Sequence, residues 1–173
     1  MAKGKICIVS IFLAILGISG VARAFVFTDP TDWYGTTILD QWVYQAHQST
    51  SNLTVFYGEA DYDLLYFERL GKTSDLSVDM FAKRSLELYA GAGGLEAFQL
   101  HRSLQEVDVG GQIGLSVAYT YENDRGHRLW EHRIFLLLPD SQGFCITLSS
   151  DGPWVIEDLS FLDEILGQWR WLF

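Results

Sequence analysis

The sequence predicts an α+β fold, a single-domain α/β/α sandwich with a central, mostly antiparallel sheet. Three observations predict it. Short segments of period-2 alternation are separated by turns, as in strands joined by hairpins. Two other stretches have the 3.6-residue period of amphipathic helices. The later strands carry small, uncharged residues opposite their large ones, so both faces of the sheet need cover.

The first part of the chain is expected to be irregular at 25–37, where turn-forming residues are frequent. Period-2 alternation then begins, interrupted by a polar turn at 48–52 and a break at 58–61. The pattern predicts strands in the short-hairpin style at 42–47, 53–57 and 64–70.

The clearest amphipathic helix is predicted at 76–90. Ser74 or Ser77 can cap its first turn, and Gly91–Gly94 stops it, because glycine readily takes the left-handed cap conformation. Since the glycine run follows a helix and not a strand, it does not have the context of a dinucleotide-binding loop. The sequence predicts no cofactor.

A meander follows, with strand signals from about Phe98 and strands at 114–121, 127–138 and 144–149. The large residues of the first and third of these strands are expected to share one face of the sheet. The opposite face would then be small, from Gly114 to Cys145, and would allow a helix to lie close.

The segment "FLDEILGQWRWLF" at 161–173 predicts that helix. Ser160 is placed to cap it. Leu162, Ile165, Leu166 and Trp169 form its apolar stripe, which we expect to cover the small-residue face of the sheet. Gly167 indicates either close contact with the sheet or an early helix end. The charged residues and short length of the segment exclude a membrane anchor.

The N-terminal segment has the layout of a secretory signal peptide. Lys3 and Lys5 precede an apolar run at 6–18, and the A-x-A sequence ends at Ala24. The run is shorter than the roughly 20 residues of a spanning helix. We therefore expect cleavage after Ala24, a domain at 25–173, and a periplasmic or secreted protein; the alternative is an uncleaved anchor.

Charge limits the classes of partner. The chain has 12 basic and 22 acidic residues, a formal charge of −10. Removing residues 1–24 takes away Lys3, Lys5 and Arg23 but no acid, which brings the charge to −13. Such a surface repels phosphate backbones and anionic lipids, so neither nucleic acid nor a membrane surface is an expected partner. Only Cys145 remains, so no internal disulfide can form.

A family resemblance extends over about 40–172. The stretch "VDVGGQIGLSVAYTYENDRGHRLWEHRIFLLLPDSQGFCITLSS", followed by "LDEILGQWRW", resembles the PsbP and DcrB-like families. The shared features are a Gly-centred turn, a strand meander and a terminal helix with an aromatic-basic-aromatic end. The resemblance implies an α/β/α sandwich in a small extracytoplasmic or lumenal protein that assists a larger assembly, without universal catalytic residues.

Two constellations invite a chemical interpretation. Cys145 with a histidine could form a nucleophile pair, but it lies within a strand, where cysteine is usually a small buried hydrophobe. His127 and His132 are five residues apart on a strand and should point to opposite faces, which makes a metal site unexpected. The acidic residues Glu59, Asp61, Asp63 and Glu68 are interpreted as a solvated loop region.

Aromatic residues in turns are the better functional indication, because tryptophan and tyrosine are favoured at protein interfaces. Four lie in turns or off the apolar stripes and are candidates for partner binding: Trp33, Tyr34, Trp154 and Trp171. The alternative is ordinary packing of these residues against the rim of the sheet. We predict an exported, non-enzymatic binding or assembly protein of the cell envelope with a protein partner. The alternatives are a hydrolase that uses Cys145 and a small-ligand carrier.

Overall fold

A computed structural model of the chain describes residues 23–73 and 76–173. The apolar run at 6–18, in the predicted signal peptide, and the candidate cap Ser74 lie outside the described residues. The strands are β1 Ala24–Thr28, β2 Tyr34–Leu39, β3 Val43–Tyr44, β4 Leu53–Tyr57, β5 Leu64–Lys72, β6 Glu96–Val109, β7 Gln112–Glu122, β8 Arg128–Leu138, β9 Gln142–Ser150 and β10 Arg170–Trp171. The helices are α1 Val78–Ala90, α2 Trp154–Glu157 and α3 Ser160–Gly167.

The central sheet has seven strands in the order β3-β4-β5-β9-β8-β7-β6, and every neighbouring pair is antiparallel. Helix α1 lies on one face, against β6, β7 and β8. The other face is covered by α2, α3 and a second sheet. The chain is therefore an α+β sandwich, as the sequence predicts.

The second sheet was not expected from the sequence. Strands β1 and β10 flank β2 in a three-stranded antiparallel sheet, whereas 25–37 was predicted to be irregular. Thr28 ends β1, and the other turn formers, at 29–32, occupy the hairpin turn, where the carboxylate of Asp29 accepts the N–H of Thr31 at 3.1 Å. Phe27 and Ile38 contribute their side chains to the core. The predicted strand at 42–47 is limited to the two residues of β3.

Helix α1 confirms the prediction for 76–90. The hydroxyl of Ser77 accepts the backbone N–H of Met80 at 3.2 Å, which caps the first turn. The glycine run ends the helix, but Gly91 has a φ of −79°, and the left-handed conformation is taken by Gly93 with a φ of +81°. Phe81 and Ala82 bury the apolar stripe against the sheet.

The expected distribution of large and small residues between the faces is wrong. Leu115 of β7 pairs with Phe135 of β8, which in turn pairs with Cys145 of β9. Directly paired residues share a face, so the large residues of β7 lie with the small residues of β9, beneath α1. On the other face, the small Ala118 lies in one row with Leu148. Each face therefore combines large and small neighbours.

Helix α3 covers the central sheet, because Leu162, Ile165 and Trp169 are buried in the core. The face that it covers is not the small-residue face that we expected, because it includes Ile146 and Leu148 of β9. Burying each of these side chains is worth about 1.5–3 kcal/mol before entropy is counted. Two details differ. The residue before the first turn is Leu159, and the carboxylate of Asp158 accepts the N–H of Ser160 at 3.0 Å, so Ser160 is not the cap. Hydrogen bonding to the Ser160 side chain, and then to its backbone N–H, lowers the pKa of Asp158.

Gly167 is the last residue of α3. A Cβ built on this residue would have nothing within 4 Å, so the glycine marks an early helix end and not close contact with the sheet. The side chain of Trp169 is buried in the core just beyond the helix. Its backbone N–H donates to the carbonyl of Leu166 at 3.1 Å. Among the described residues, no helix is both long enough and apolar enough to cross a membrane.

Candidate functional site

An open cavity lies on the α1 side of the central sheet, next to the helix. Because α1 contacts β6, β7 and β8, it leaves the β4–β5 part of this face without helical cover in the described residues. The uncovered part forms a groove of about 640 Å³. Leucine and valine side chains line the groove together with four tyrosines, two glutamates, one arginine and one glutamine. We call this cavity the tyrosine groove.

Arg133 lies at the base of the tyrosine groove and is only 8% exposed. Its Nε donates to the Thr147 hydroxyl at 2.9 Å, and one Nη donates to the Tyr66 hydroxyl at 2.6 Å. The other Nη donates to the hydroxyl of Tyr89. Glu68 lies 3.8 Å from the guanidinium, in a looser ion pair. The buried charge is therefore solvated mainly by hydroxyl groups, which meets the requirement that a buried ion be hydrogen-bonded.

Glu131, two residues before Arg133 on the same face of β8, is also buried. Its carboxylate accepts the Tyr66 hydroxyl at 3.2 Å, so Tyr66 connects the two charges. Tyr119 pairs with Glu131 across β7 and β8, and its buried hydroxyl has no hydrogen-bond partner among the residues that the structure describes. Burial, and then the charge of Glu131, raise the pKa of Tyr119 well above its usual value.

The tyrosine pKa values show that the groove is a site of neutral phenols. Burial raises the pKa of Tyr66, of Tyr89 and of Tyr121 above the ordinary value of 10.0. All of these hydroxyls therefore keep their hydrogens at physiological pH. A protonated hydroxyl that accepts an N–H from Arg133 still has a hydrogen to donate, and the guanidinium polarises that donor.

Cys145 does not form the nucleophile pair considered from the sequence. Its thiol is fully buried in the cluster beneath α1, next to Phe135 in the neighbouring strand. Burial raises the pKa of Cys145 to about 12, which disfavours the thiolate. His132 pairs with Leu148 and therefore lies on the opposite face of the sheet. The two side chains are separated by the sheet, so His132 cannot pair with Cys145.

The histidines and acidic residues are dispersed. Within 23–73 and 76–173, no three His, Cys, Asp or Glu side chains form a group that could hold a metal ion. His127 precedes β8 and packs against the ring of Tyr62, with centroids 5.1 Å apart. Glu68 was assigned to an acidic loop but lies on β5 and lines the tyrosine groove.

A second cavity, of about 490 Å³, contains Glu59 and Asp63 of the predicted acidic loop. Asp63 already accepts hydrogen bonds from the Ser150 hydroxyl at 2.7 Å and from the N–H of Ala60 at 3.2 Å. Trp154 also borders this cavity and donates its indole N–H to Ser150 at 3.1 Å. The same serine thus links the aspartate and the tryptophan.

Two of the four candidate aromatics come together on the surface. Trp33 and Trp171 both contact Phe173, with centroid distances of 5.6 and 5.5 Å. Arg69 lies over the Trp33 ring, 4.4 Å from its centroid. Leu172, next to Phe173, is exposed as well. We call this surface, made of Trp33, Arg69, Trp171, Leu172 and Phe173, the aromatic corner.

The other two candidates do not belong to the aromatic corner. Tyr34 is not at the surface, as a residue that binds a partner would have to be: it is 2% exposed and stacks on Trp169 at 4.6 Å. Its hydroxyl donates to Thr54 at 2.8 Å, and burial raises its pKa. Trp154 is half-buried at the second cavity. Tyr34 is therefore a core residue.

The sequence matches no model of a known protein family and no curated protein. Among solved structures, the chain is similar to cyanobacterial PsbP (CyanoP) from Synechocystis sp. PCC 6803, with a TM-score of 0.61 and 16% identity over 92% of this chain and 98% of that chain. It is also similar to LpqN, involved in cell envelope biogenesis of Mycobacterium tuberculosis, with a TM-score of 0.51 and 12% identity over 87% of this chain and 91% of that one.

A third similar structure is PA94 from Pseudomonas aeruginosa, a protein of unknown function. Its TM-score is 0.52 and its identity 16%, over 79% of this chain and 88% of that chain. At these identities the comparisons establish the fold. The order of strands, the two-sided cover of the central sheet and these three neighbours together show that the chain has the PsbP-like α/β sandwich fold.

Proposed function

We propose that this chain is an exported, non-enzymatic protein that binds a protein of the cell envelope or helps to assemble a larger envelope complex. The observation that carries the proposal is the aromatic corner. Phe173 is 56% exposed and Leu172 is 47% exposed, beside two tryptophans that are only half-buried. Apolar and aromatic side chains grouped in this way on a surface are typical of a protein-binding site.

The composition of the aromatic corner favours a protein partner. Tryptophan and arginine are the residues that most often carry the binding energy of protein interfaces. Arg69 is held in place over Trp33, and it donates a hydrogen bond to the Thr31 hydroxyl at 3.2 Å. A side chain that is already ordered loses less entropy when a partner binds. The charge of −13 that remains after removal of residues 1–24 disfavours nucleic acid.

Export is supported by the basic start, the apolar run and the A-x-A sequence before Phe25. The fold similarity to LpqN, a protein of cell envelope biogenesis, is in keeping with a role in the same compartment, although fold alone does not determine function. A non-enzymatic role is supported by the burial of Cys145 and its separation from His132.

The proposal can be tested by affinity capture from envelope extracts with three forms of the tagged protein. The wild type should recover a reproducible protein partner. The Phe173→Ala variant and the Trp33→Ala/Phe173→Ala double variant should lose it, because they remove the exposed rings of the aromatic corner. The Met80→Ala/Leu88→Ala variant is the matched control, since both of these apolar residues are exposed on α1.

Thermal unfolding of every variant should show that the aromatic corner variants are folded at the temperature of the assay. Capture of the same partner by the wild type and by both aromatic corner variants would contradict the proposed docking surface. Failure of the wild type to capture any reproducible partner would contradict the binding role itself.

A further inference from the structure

We propose that the tyrosine groove binds an uncharged saccharide, with Tyr57 as the stacking platform and Tyr89 as a hydrogen-bond donor. The groove lies on the α1 side of the central sheet, whereas the aromatic corner lies with the second sheet on the other side. The two proposals therefore concern separate surfaces. The volume of about 640 Å³ lies within the range of roughly 300–1,000 Å³ that small-ligand sites have.

The charges in the tyrosine groove favour an uncharged ligand. Glu68, Glu131 and Arg133 all line it, so fixed charges of both signs lie within one small site. An anionic ligand would approach two carboxylates, and a cationic ligand would approach the guanidinium. A like charge in a partly desolvated site is costly. A neutral ligand with many hydroxyl groups avoids both repulsions and can still hydrogen-bond to each charged group.

The hydrogen-bond network determines which groups the groove offers to a ligand. The Tyr66 hydroxyl accepts from Arg133 and donates its hydrogen to Glu131, so it has no hydrogen left for a ligand. The Tyr89 hydroxyl also accepts from Arg133, yet the described residues provide no acceptor for its own hydrogen. This hydrogen is therefore available to an oxygen atom of a ligand. Carboxylate oxygens of Glu68 and Glu131 are available as acceptors. The groove therefore offers both a hydrogen-bond donor and hydrogen-bond acceptors, and a sugar hydroxyl can bond to either kind of group.

The apolar part of the groove suits the carbon–hydrogen faces of a sugar ring. Tyr57 is 39% exposed, and its hydroxyl donates to the side-chain carbonyl of Gln48, which fixes the ring. It pairs with Leu64 across β4 and β5, on the face that contains Val55 and Tyr66. An aromatic face beside aliphatic side chains and directional polar groups matches a ligand that is apolar on its ring faces and polar at its edge.

Buried Tyr119 is a second, independent sign that the polar network is incomplete. Tyr119 pairs with Glu131 across β7 and β8 behind the lining of the groove, and its hydroxyl lacks a partner within the described part of the chain. Buried hydroxyls nearly always have a partner, and an unsatisfied one calls for an ordered water or a ligand group. A ligand hydroxyl bound at Glu131 would extend the network in this direction.

The experiment is a titration of the isotope-labelled protein with neutral trisaccharides, followed by NMR chemical shifts and calorimetry. The probes are maltotriose, cellotriose and chitotriose. Two of them have charged counterparts of the same size: the glucosamine trimer is cationic, and cellotriose oxidised at C6 is anionic. We expect at least one neutral trisaccharide to bind and to change the chemical shifts of residues in β4, β5 and β8. The charged counterpart of that trisaccharide should bind at least about 10-fold more weakly. If the ligand is maltotriose, for which no counterpart is used, both charged trimers should bind at least about 10-fold more weakly than maltotriose.

Three variants locate the site. Tyr89→Phe removes only the hydroxyl and should weaken binding about 5- to 10-fold. Tyr57→Ala removes the platform and should weaken it by about 10-fold or more. Tyr62→Phe is the matched control, because Tyr62 packs against His127 outside the groove, and it should leave affinity within about 2-fold of the wild type.

The source of the saccharide is distinguished by a parallel assay on insoluble amylose, cellulose and chitin. Retention of the protein on the polymer would show that the groove takes an internal segment of a glycan, whereas binding of the trimers alone would indicate a free oligosaccharide. Absence of millimolar binding to all three neutral trisaccharides would overturn the proposal. Equal or stronger binding of the charged trimers, or shift changes confined to regions outside the groove, would overturn it as well.

Discussion

The hydroxyl of Thr36 donates a 2.6 Å hydrogen bond to the backbone carbonyl of Ile165. Both residues are buried, and they join the second sheet to the last turn of α3. The carbonyl of Ile165 needs this donor because the N–H of Trp169, four residues on, is bonded to Leu166 instead. A side chain of the second sheet thus supplies the hydrogen-bond donor that this carbonyl at the end of α3 lacks.

Replacing Thr36 by Val should lower the free energy of unfolding by about 1–3 kcal/mol, because it leaves a buried carbonyl unsatisfied without changing the side-chain volume. Urea unfolding followed by tryptophan fluorescence measures the change. Thr37→Val is the control, since Thr37 is the adjacent, more exposed residue of β2. Equal stability of the wild type and Thr36→Val would show that the hydrogen bond contributes nothing to α3.

Two glycines should respond to alanine in opposite directions. A Cβ on Gly114 would lie 2.8 Å from the carbonyl oxygen of Phe135 and 2.9 Å from Cδ2 of Leu136, so Gly114→Ala should destabilise the protein by about 1–3 kcal/mol. Gly167→Ala meets no atom within 4 Å at the end of α3 and should stabilise the protein by up to about 1 kcal/mol. Denaturant midpoints of both variants measure the effects; a stabilising Gly114→Ala would contradict the close approach of β7 and β8.

Cys145 should be unreactive in the folded protein. With a pKa of about 12, the thiol is ionised in only about one molecule in 10⁴ at pH 8, and it is fully buried as well. In the chain from Phe25 onward, labelling by a disulfide reagent should therefore proceed at the rate of unfolding. A Ser51→Cys variant provides an exposed thiol as the positive control. Rapid labelling of Cys145 without denaturant would contradict the burial and reopen the hydrolase alternative.

His132 should make the stability of the protein depend on pH between about 6.5 and 4. Burial, and then the charge of Arg102, lower its pKa from 6.5 to about 4, and its buried Nδ1 has no hydrogen-bond partner among the described residues. In this window the unfolded chain binds a proton that the folded chain does not. The free energy of unfolding should therefore fall as the pH decreases from 6.5 to 4, by up to about 3 kcal/mol, and this contribution should be constant below pH 4.

The measurement is the free energy of unfolding as a function of pH for the wild type and His132→Leu. The variant should have a shallower slope over this interval, because the titrating group is gone. His47→Leu, at an exposed histidine, should retain the slope of the wild type. Parallel curves for the wild type and His132→Leu would exclude His132 as the cause of any acid destabilisation.

Local periodicity was sufficient to predict α1, the core-facing side of α3 and most strands of the central sheet. These elements have either a long apolar stripe, as at 76–90, or strict alternation, as at 53–57. It was insufficient for β1 and β2, because their hairpin contains the turn formers at 28–32 and their pairing partners include Arg170 and Trp171, far along the chain. Such long-range pairing leaves no local signal.

The assignment of faces failed for a related reason. Alternation shows which residues of one strand share a face, but only the register shows how neighbouring strands match, and a shift by one residue reverses the match. The tyrosine groove was missed because its parts come from several strands and α1. Glu131 and Arg133 share one face of β8 among apolar residues that are buried on both sides, which was the signal in the sequence for a buried polar site.

The alternation of bulky and slim side chains between adjacent strands has an evolutionary consequence. Gly114 leaves room for Leu136 of β8, and Ala118 lies opposite His132, the larger residue beside it in the same row. A larger residue at position 114 or 118 would be tolerated only together with a smaller one at its neighbour. In sequences that descend from this one, the side-chain volumes at such paired positions should therefore change together. Covariation between the positions would then indicate which residues of neighbouring strands are paired.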